Sequence, residues 1–135
     1  MIKKVIILCL VLGTTLMAEF RSIKIPEFEK MQKEGVVVVD IRRPDEWKAT
    51  GIIKGSIKNT FFDAGGRYDL RRWLAELEKH VSSKADPVIL VCAHANRTKA
   101  VGRFLSEEFK MEHVYDLDGG INYGWIDLGK KTVKE

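Results

Sequence analysis

The chain has 135 residues, 45% of them hydrophobic, enough for one domain with a real core and too short for two of ordinary size. Its formal net charge of +4 comes from lysines and arginines dispersed among acidic residues. There is no long basic stripe and no interleaved aromatic platform, so nucleic acid is excluded as a partner.

The first residues read as an export signal. Lys3 and Lys4 form a basic start, Val5 to Leu12 an apolar run, and Leu16-Met17-Ala18 a small-residue cleavage site before Glu19. The uncharged run from Val5 to Ala18 falls short of the roughly 17–25 residues that span a bilayer. The expectation is a cleaved signal peptide over 1–18, one domain over 19–135, and no stable membrane insertion after cleavage; an uncleaved anchor is the alternative. The location that follows is exported, and periplasmic if the source is a Gram-negative bacterium. Cys9 follows Leu8 inside the apolar run, a poor lipid-attachment site, and would leave with the peptide. The exported chain would then carry Cys92 alone and could form no internal disulfide. In an oxidising compartment a leftover thiol points to intermolecular pairing or to a reactive group.

Beyond the export segment, strand-like and helix-like stretches alternate. A short strand over 21–25 precedes Pro26, which opens a helix carrying Phe28 and Met31 and ending near Gly35. Val36 to Val39 is a buried strand, and Asp40 closes it at the sheet edge where open parallel sheets bind ligands. A short helix over 45–49, a turn at Gly51 and a modest strand over 56–60 follow. Asp63-Ala64-Gly65-Gly66 marks a loop. Leu70, Trp73, Leu74, Leu77 and Val81 then form one face of an amphipathic helix. Pro87 precedes the apolar strand Val88-Ile89-Leu90-Val91, and Val114-Tyr115-Asp116-Leu117 is the last strand, before Gly119-Gly120. The order β-α-β-α-β-α-β-α-β predicts an α/β domain, a parallel five-stranded sheet with helices on both faces.

Cys92 opens the loop Ala93-His94-Ala95-Asn96-Arg97-Thr98, between that apolar strand and a helix carrying Val101, Phe104, Leu105 and Phe109. Backbone N–H groups at such a junction can form a concave anion site, and the helix dipole adds positive potential. Both favour the thiolate, the reactive form of cysteine. The plainer alternative is a buried cysteine acting as a small hydrophobe.

Three separated stretches resemble the single-domain rhodanese family of sulfurtransferases. Val38 to Trp47 with Gly51 to Ser56 is similar to the family's first signature. Cys92 to Thr98, a cysteine and an arginine with four residues between them, followed by Ser or Thr, resembles its active-site loop. Val114 to Ile121 with Trp125 resembles its C-terminal signature. The chain departs from the family pattern at Ile52, often His, at Ala93, often Arg, and at Ala95, often Gly; Trp125 sits one residue late. If the Ala95 position needs positive φ, a Cβ there is strained.

The resemblance implies a rhodanese-like fold and a double displacement: Cys92 takes a sulfane sulfur from a donor such as thiosulfate and passes it, as a persulfide, to a thiol or other thiophilic acceptor. The N–H groups of residues 93–98 would cradle the anion. Four intervening residues make a smaller ring than the five of related phosphatases and arsenate reductases, suited to one sulfur atom. Arg97 would bind donor oxyanions or brace the loop. Thr98 would donate to Cys92 or cap the following helix. His94 suits the pocket rim, Asn96 a left-handed or turn position, and Asp40 and Arg42 a supporting layer that orients the neighbouring loop, with helix capping by Asp40 as the alternative. Trp47, Trp73 and Trp125 read as packing residues. No cofactor is implied, and no metal, since His80, His94 and Cys92 share no ligand spacing. The competing functional class is a sulfur-binding, thiol-sensing or partner-binding module without turnover.

Overall fold

The computed structural model describes residues 19–134; the expected export segment over 1–18, including Cys9, lies outside the described residues. Five strands form one sheet in the order β1-β5-β4-β2-β3, every neighbouring pair parallel. The strands are β1 (Glu19–Ile23), β2 (Val37–Asp40), β3 (Ile57–Lys58), β4 (Val88–Val91) and β5 (His113–Leu117). The helices are α1 (Ile25–Lys33), α2 (Pro44–Thr50), α3 (Leu70–Leu77), α4 (Asn96–Arg103) and α5 (Gly120–Gly124). Among the described residues no helix is long and apolar enough to cross a membrane.

The central strand explains its own composition. All four β4 side chains are buried, Val88 and Leu90 in one core with Trp73, Leu77, Val101 and Leu105, and Ile89 and Val91 in a second core with Phe28, Ile121 and Trp125. A strand covered on both faces reads as a continuous apolar run for this reason, and each such side chain stabilises the fold by about 1.5–3 kcal/mol. The two cores are the two faces of the sheet. α3 and α4 cover the first and α1 and α5 the second.

Local departures from the expected elements have identifiable causes. β1 starts at Glu19 and stops at Ile23, because α1 already begins at Ile25 with Pro26 in its first turn. α3 ends at Leu77, yet the chain keeps Val81 in the core. α4 runs on into a π-helical turn over Phe104–Glu108, which carries Leu105 into the core. α2 buries no side chain fully: Trp47 is half-buried beside Lys58, so it does not join Trp73 and Trp125 in the core. At Gly102 an added Cβ would lie 2.3 Å from the Phe20 ring, so glycine is what lets α4 pass close over β1.

Connectivity fixes the site. The chain leaves β2 toward β3 at one edge and leaves β4 toward β5 in the opposite direction, while β2 and β4 are neighbours. Their C-terminal ends therefore flank a topological switch point, the position where open α/β sheets bind ligands.

Candidate active site

Cys92 is the first residue after β4 and is 1% exposed. The N-terminus of α5 holds the backbone on one side of it: Ile121 N–H donates to the Cys92 carbonyl at 2.8 Å and Asn122 N–H to the Ala93 carbonyl at 3.0 Å. In a planar trans peptide the carbonyl and the following N–H point opposite ways, so this grip turns the amides of Ala93 and His94 away from α5. Gly120 is required there, since a Cβ on it would sit 2.4 Å from the Ala93 oxygen and 2.6 Å from that of Cys92.

Ala95 is the N-cap of α4, with φ 67° and ψ 11°, the left-handed conformation that a Cβ disfavours. It has no side chain able to cap, so the first amides of α4 keep the free N–H groups every helix start leaves. Asn96 is an ordinary right-handed helical residue; the left-handed position falls on Ala95 instead. Residues 92–98 thus wind from a buried strand into an uncapped helix start within seven residues.

Thr98 does not cap α4. It is buried inside the helix, its hydroxyl 3.5 Å from Cys92 Sγ and donating to Asp116 Oδ2 at 2.7 Å. Asp116, fully buried on β5, also accepts from the Ser22 hydroxyl at 2.5 Å, and Lys99 Nζ lies 3.6 Å from Oδ2.

The Arg97 fork is taken up by Glu46. Both of its terminal nitrogens donate to Glu46 on α2, each at 2.7 Å. These hydrogen bonds hold the Glu46 carboxyl below its usual range, assisted by the Arg43 N–H, and raise the Arg97 guanidinium against the opposing effect of burial. The charge of Arg97 also interacts with Cys92 and Asp40.

Asp40 and Arg42 form a pair below this contact, both almost fully buried, with Arg42 Nη2 2.8 Å from Asp40 Oδ2. Arg42 also donates to Thr50 Oγ1 at 2.8 Å and to the Gly51 carbonyl at 2.9 Å, so one guanidinium ties the end of β2 to the end of α2. Asp40 caps no helix; the N-cap of α2 is Arg43, whose N–H donates to Glu46. Support therefore runs from Asp40 through Arg42 to α2, and from Glu46 to Arg97 in the cysteine loop.

His94 is exposed at the loop surface, 4.5 Å from the Tyr123 ring centroid, with Asn122 Nδ2 3.1 Å from its Nε2. Ala93 is buried beneath it. A cleft of about 720 Å³ opens beside α2 between Arg43, Phe61, Tyr68 and Arg72, and no residue of 92–98 lines it.

Sequence reasoning missed Glu46 and Asp116 as participants. Glu46 carried a signal, being the third helical residue after Arg43 in a capping-box arrangement. Asp116 carried a subtler one: it falls two residues after Val114 on a strand whose alternate side chains enter the core, so a carboxylate at that position is out of pattern.

Known proteins share this architecture. The sequence matches the rhodanese-like domain over residues 25–126. It is 33% identical over 118 residues to thiosulfate sulfurtransferase GlpE of Ectopseudomonas mendocina, covering 87% of this chain and 96% of that protein. It is 32% identical to the protein of the same name from Pseudoalteromonas translucida, covering 75% and 85%. Among solved structures, a rhodanese-related protein of Thermoplasma volcanium aligns with a TM-score of 0.61 at 28% identity, covering 85% of this chain and 99% of that one. The polysulfide-sulfur transferase homodimer of Wolinella succinogenes shares the fold with a TM-score of 0.64 at 22% identity, covering 89% and 82%. With its parallel sheet and the cysteine loop at the switch point, this chain belongs to the rhodanese-like domain family.

Proposed function

We propose that the protein is a sulfurtransferase that works through a persulfide on Cys92. The observation that carries this reading is the placement of Cys92 at the switch point, six residues before Thr98, beside a helix start whose N-cap Ala95 offers no side chain. Uncapped amides there favour an anionic sulfur. The relatives named thiosulfate sulfurtransferase support thiosulfate as donor.

In the loading step the Cys92 thiolate attacks the outer sulfur of thiosulfate. A Cys92 S–S bond forms, the S–S bond of thiosulfate breaks, and sulfite departs with its electron pair. In the unloading step a thiol or other thiophilic acceptor attacks the terminal sulfur, the persulfide bond breaks, and the Cys92 thiolate is restored. The amides of residues 93–98 hold the anion in both steps. Arg97, whose fork is occupied by Glu46, braces the loop and contributes its field to the sulfur rather than a direct grip on the donor.

Incubation with thiosulfate should add one sulfur atom to Cys92 by mass spectrometry, and cyanide should remove it as thiocyanate. Cys92→Ser should do neither. Turnover by that variant equal to wild type would reject the assignment and favour a binding or sensing module. Export rests on the sequence pattern of residues 1–18, with the mature chain starting at Glu19; the N-terminal mass of protein recovered from the exported fraction tests it.

A further inference from the structure

We propose that Asp116 is a positioning residue that opposes the ionisation of Cys92, and so limits its thiolate fraction, by taking the hydroxyl proton of Thr98. The inference rests on the reading of Cys92 as the reacting sulfur, and deepens it.

Asp116 is fully buried and lies level in the sheet with Leu90 on one side and Ser22 on the other, on the face that α4 covers. An ionised carboxylate only accepts hydrogen bonds, and Asp116 takes one from Ser22 and one from Thr98. Thr98 has a single hydroxyl proton. The 2.7 Å bond to a buried carboxylate is charge-assisted and claims it. What Thr98 then turns toward Cys92 Sγ, 3.5 Å away, is a lone pair. A lone pair accepts from S–H and repels a thiolate.

Two anions therefore compete for one proton donor. To stabilise a thiolate, Thr98 must rotate its proton to the sulfur and leave the buried Asp116 with one hydroxyl donor fewer, which costs free energy. The two negative charges also oppose each other directly.

The remaining charged groups define the balance. From α4, Arg97 interacts with Cys92 and Lys99 stands 3.6 Å from Asp116; both favour negative charge. From β2, Asp40 is neutralised by Arg42. From β1 the contact is Ser22, which does not titrate, and His94 of the loop is engaged with Asn122 and Tyr123 at the surface. On β5, Tyr115 lies beside Arg21 of β1. Asp116 is the group whose removal changes both the field and the proton count.

The test is the pH dependence of iodoacetamide alkylation at Cys92, read on the Cys92 peptide by mass spectrometry in the full chain. Asp116→Asn should lower the alkylation midpoint by about one pH unit or more, and well below both midpoints the reaction should be faster by a few fold, less than the roughly tenfold gain in thiolate because a less basic thiolate is a weaker nucleophile. In a Thr98→Val background the same change should shift the midpoint by less than half as much. No shift, an upward shift, or an equal shift in both backgrounds would overturn the proposal, the last by reducing Asp116 to a bare charge. Thr98→Val alone leaves Asp116 in place and covers the case in which Asp116→Asn does not fold. It should lower the midpoint or leave it unchanged, and a rise of a unit or more would show Thr98 donating to the thiolate. Alkylation needs no sulfur donor, so its outcome is independent of whether thiosulfate loads the same preparations.

Discussion

Arg97 and Glu46 form a two-pronged ion pair, 2.7 Å at both contacts, that joins the helix leaving β4 to the helix leaving β2. Those helices leave the neighbouring strands β4 and β2 at the switch point, and the ion pair ties their starts together there. The side chains are 24% and 19% exposed, between the surface pairs that contribute almost nothing and the buried pairs whose disruption costs several kcal/mol.

Arg97→Lys keeps the charge and loses the planar fork, so it can satisfy one Glu46 oxygen at a time. The expected cost is on the order of 1–2 kcal/mol, seen as a fall of several degrees in melting temperature. Glu46→Gln should cost a similar amount, and the double variant distinctly less than the sum. Additive losses would show that the two residues stabilise the fold independently.

The same pair fixes a pH dependence. Glu46 has its folded pKa lowered, chiefly by Arg97, so the unfolded chain takes up its proton first as pH falls. The contribution is fully present above the ordinary glutamate value of about 4.3 and is lost as pH falls from there through the lower folded value. Wild type should exceed Glu46→Gln in denaturant-measured stability at pH 7, and the gap should narrow toward pH 3. A gap that widens on acidification would contradict the assignment of Arg97 as its cause.

The sheet was legible because a strand covered on both faces has to be apolar at every position, as Val88 to Val91 are. Loop identity was legible because residues 92–98 are contiguous. Glu46 and Arg97 are 51 positions apart, and no local periodicity links a residue of one helix to a residue of another. The Asp116–Thr98 bond, 18 positions apart, depends on strand register in the same way. α5 escaped notice for a different reason: five residues with glycine at both ends have almost no helical pattern, and the helix exists because its amides find the carbonyls of Cys92 and Ala93.

Gly120 and Gly129 make a matched test of that contact. Both have positive φ, 66° and 84°, but an added Cβ at Gly129 meets nothing within 4 Å, whereas at Gly120 it collides with two loop carbonyls. Gly129→Ala should cost only the backbone penalty, about 1–2 kcal/mol. Gly120→Ala should cost clearly more and should also change the rate of Cys92 alkylation, since α5 and the loop must part. Equal melting temperatures for the two variants would mean that α5 does not hold the loop.

Ala95 carries two opposing quantities. Its left-handed φ of 67° costs about 1–2 kcal/mol relative to glycine, while its methyl, on a residue 3% exposed, contributes about 0.8 kcal/mol by burial. The balance favours glycine slightly, so Ala95→Gly should melt at or a few degrees above wild type. Ala95→Val should melt well below it, because a β-branched side chain is strained further in the same conformation. Sulfur loading from thiosulfate separates stability from chemistry. If Ala95→Gly is more stable and loads faster, strain in the natural loop slows the reaction, and if it is more stable with unchanged loading, the loop already holds the sulfur in a competent geometry. A glycine variant less stable than wild type would show that methyl burial outweighs the backbone strain at this position.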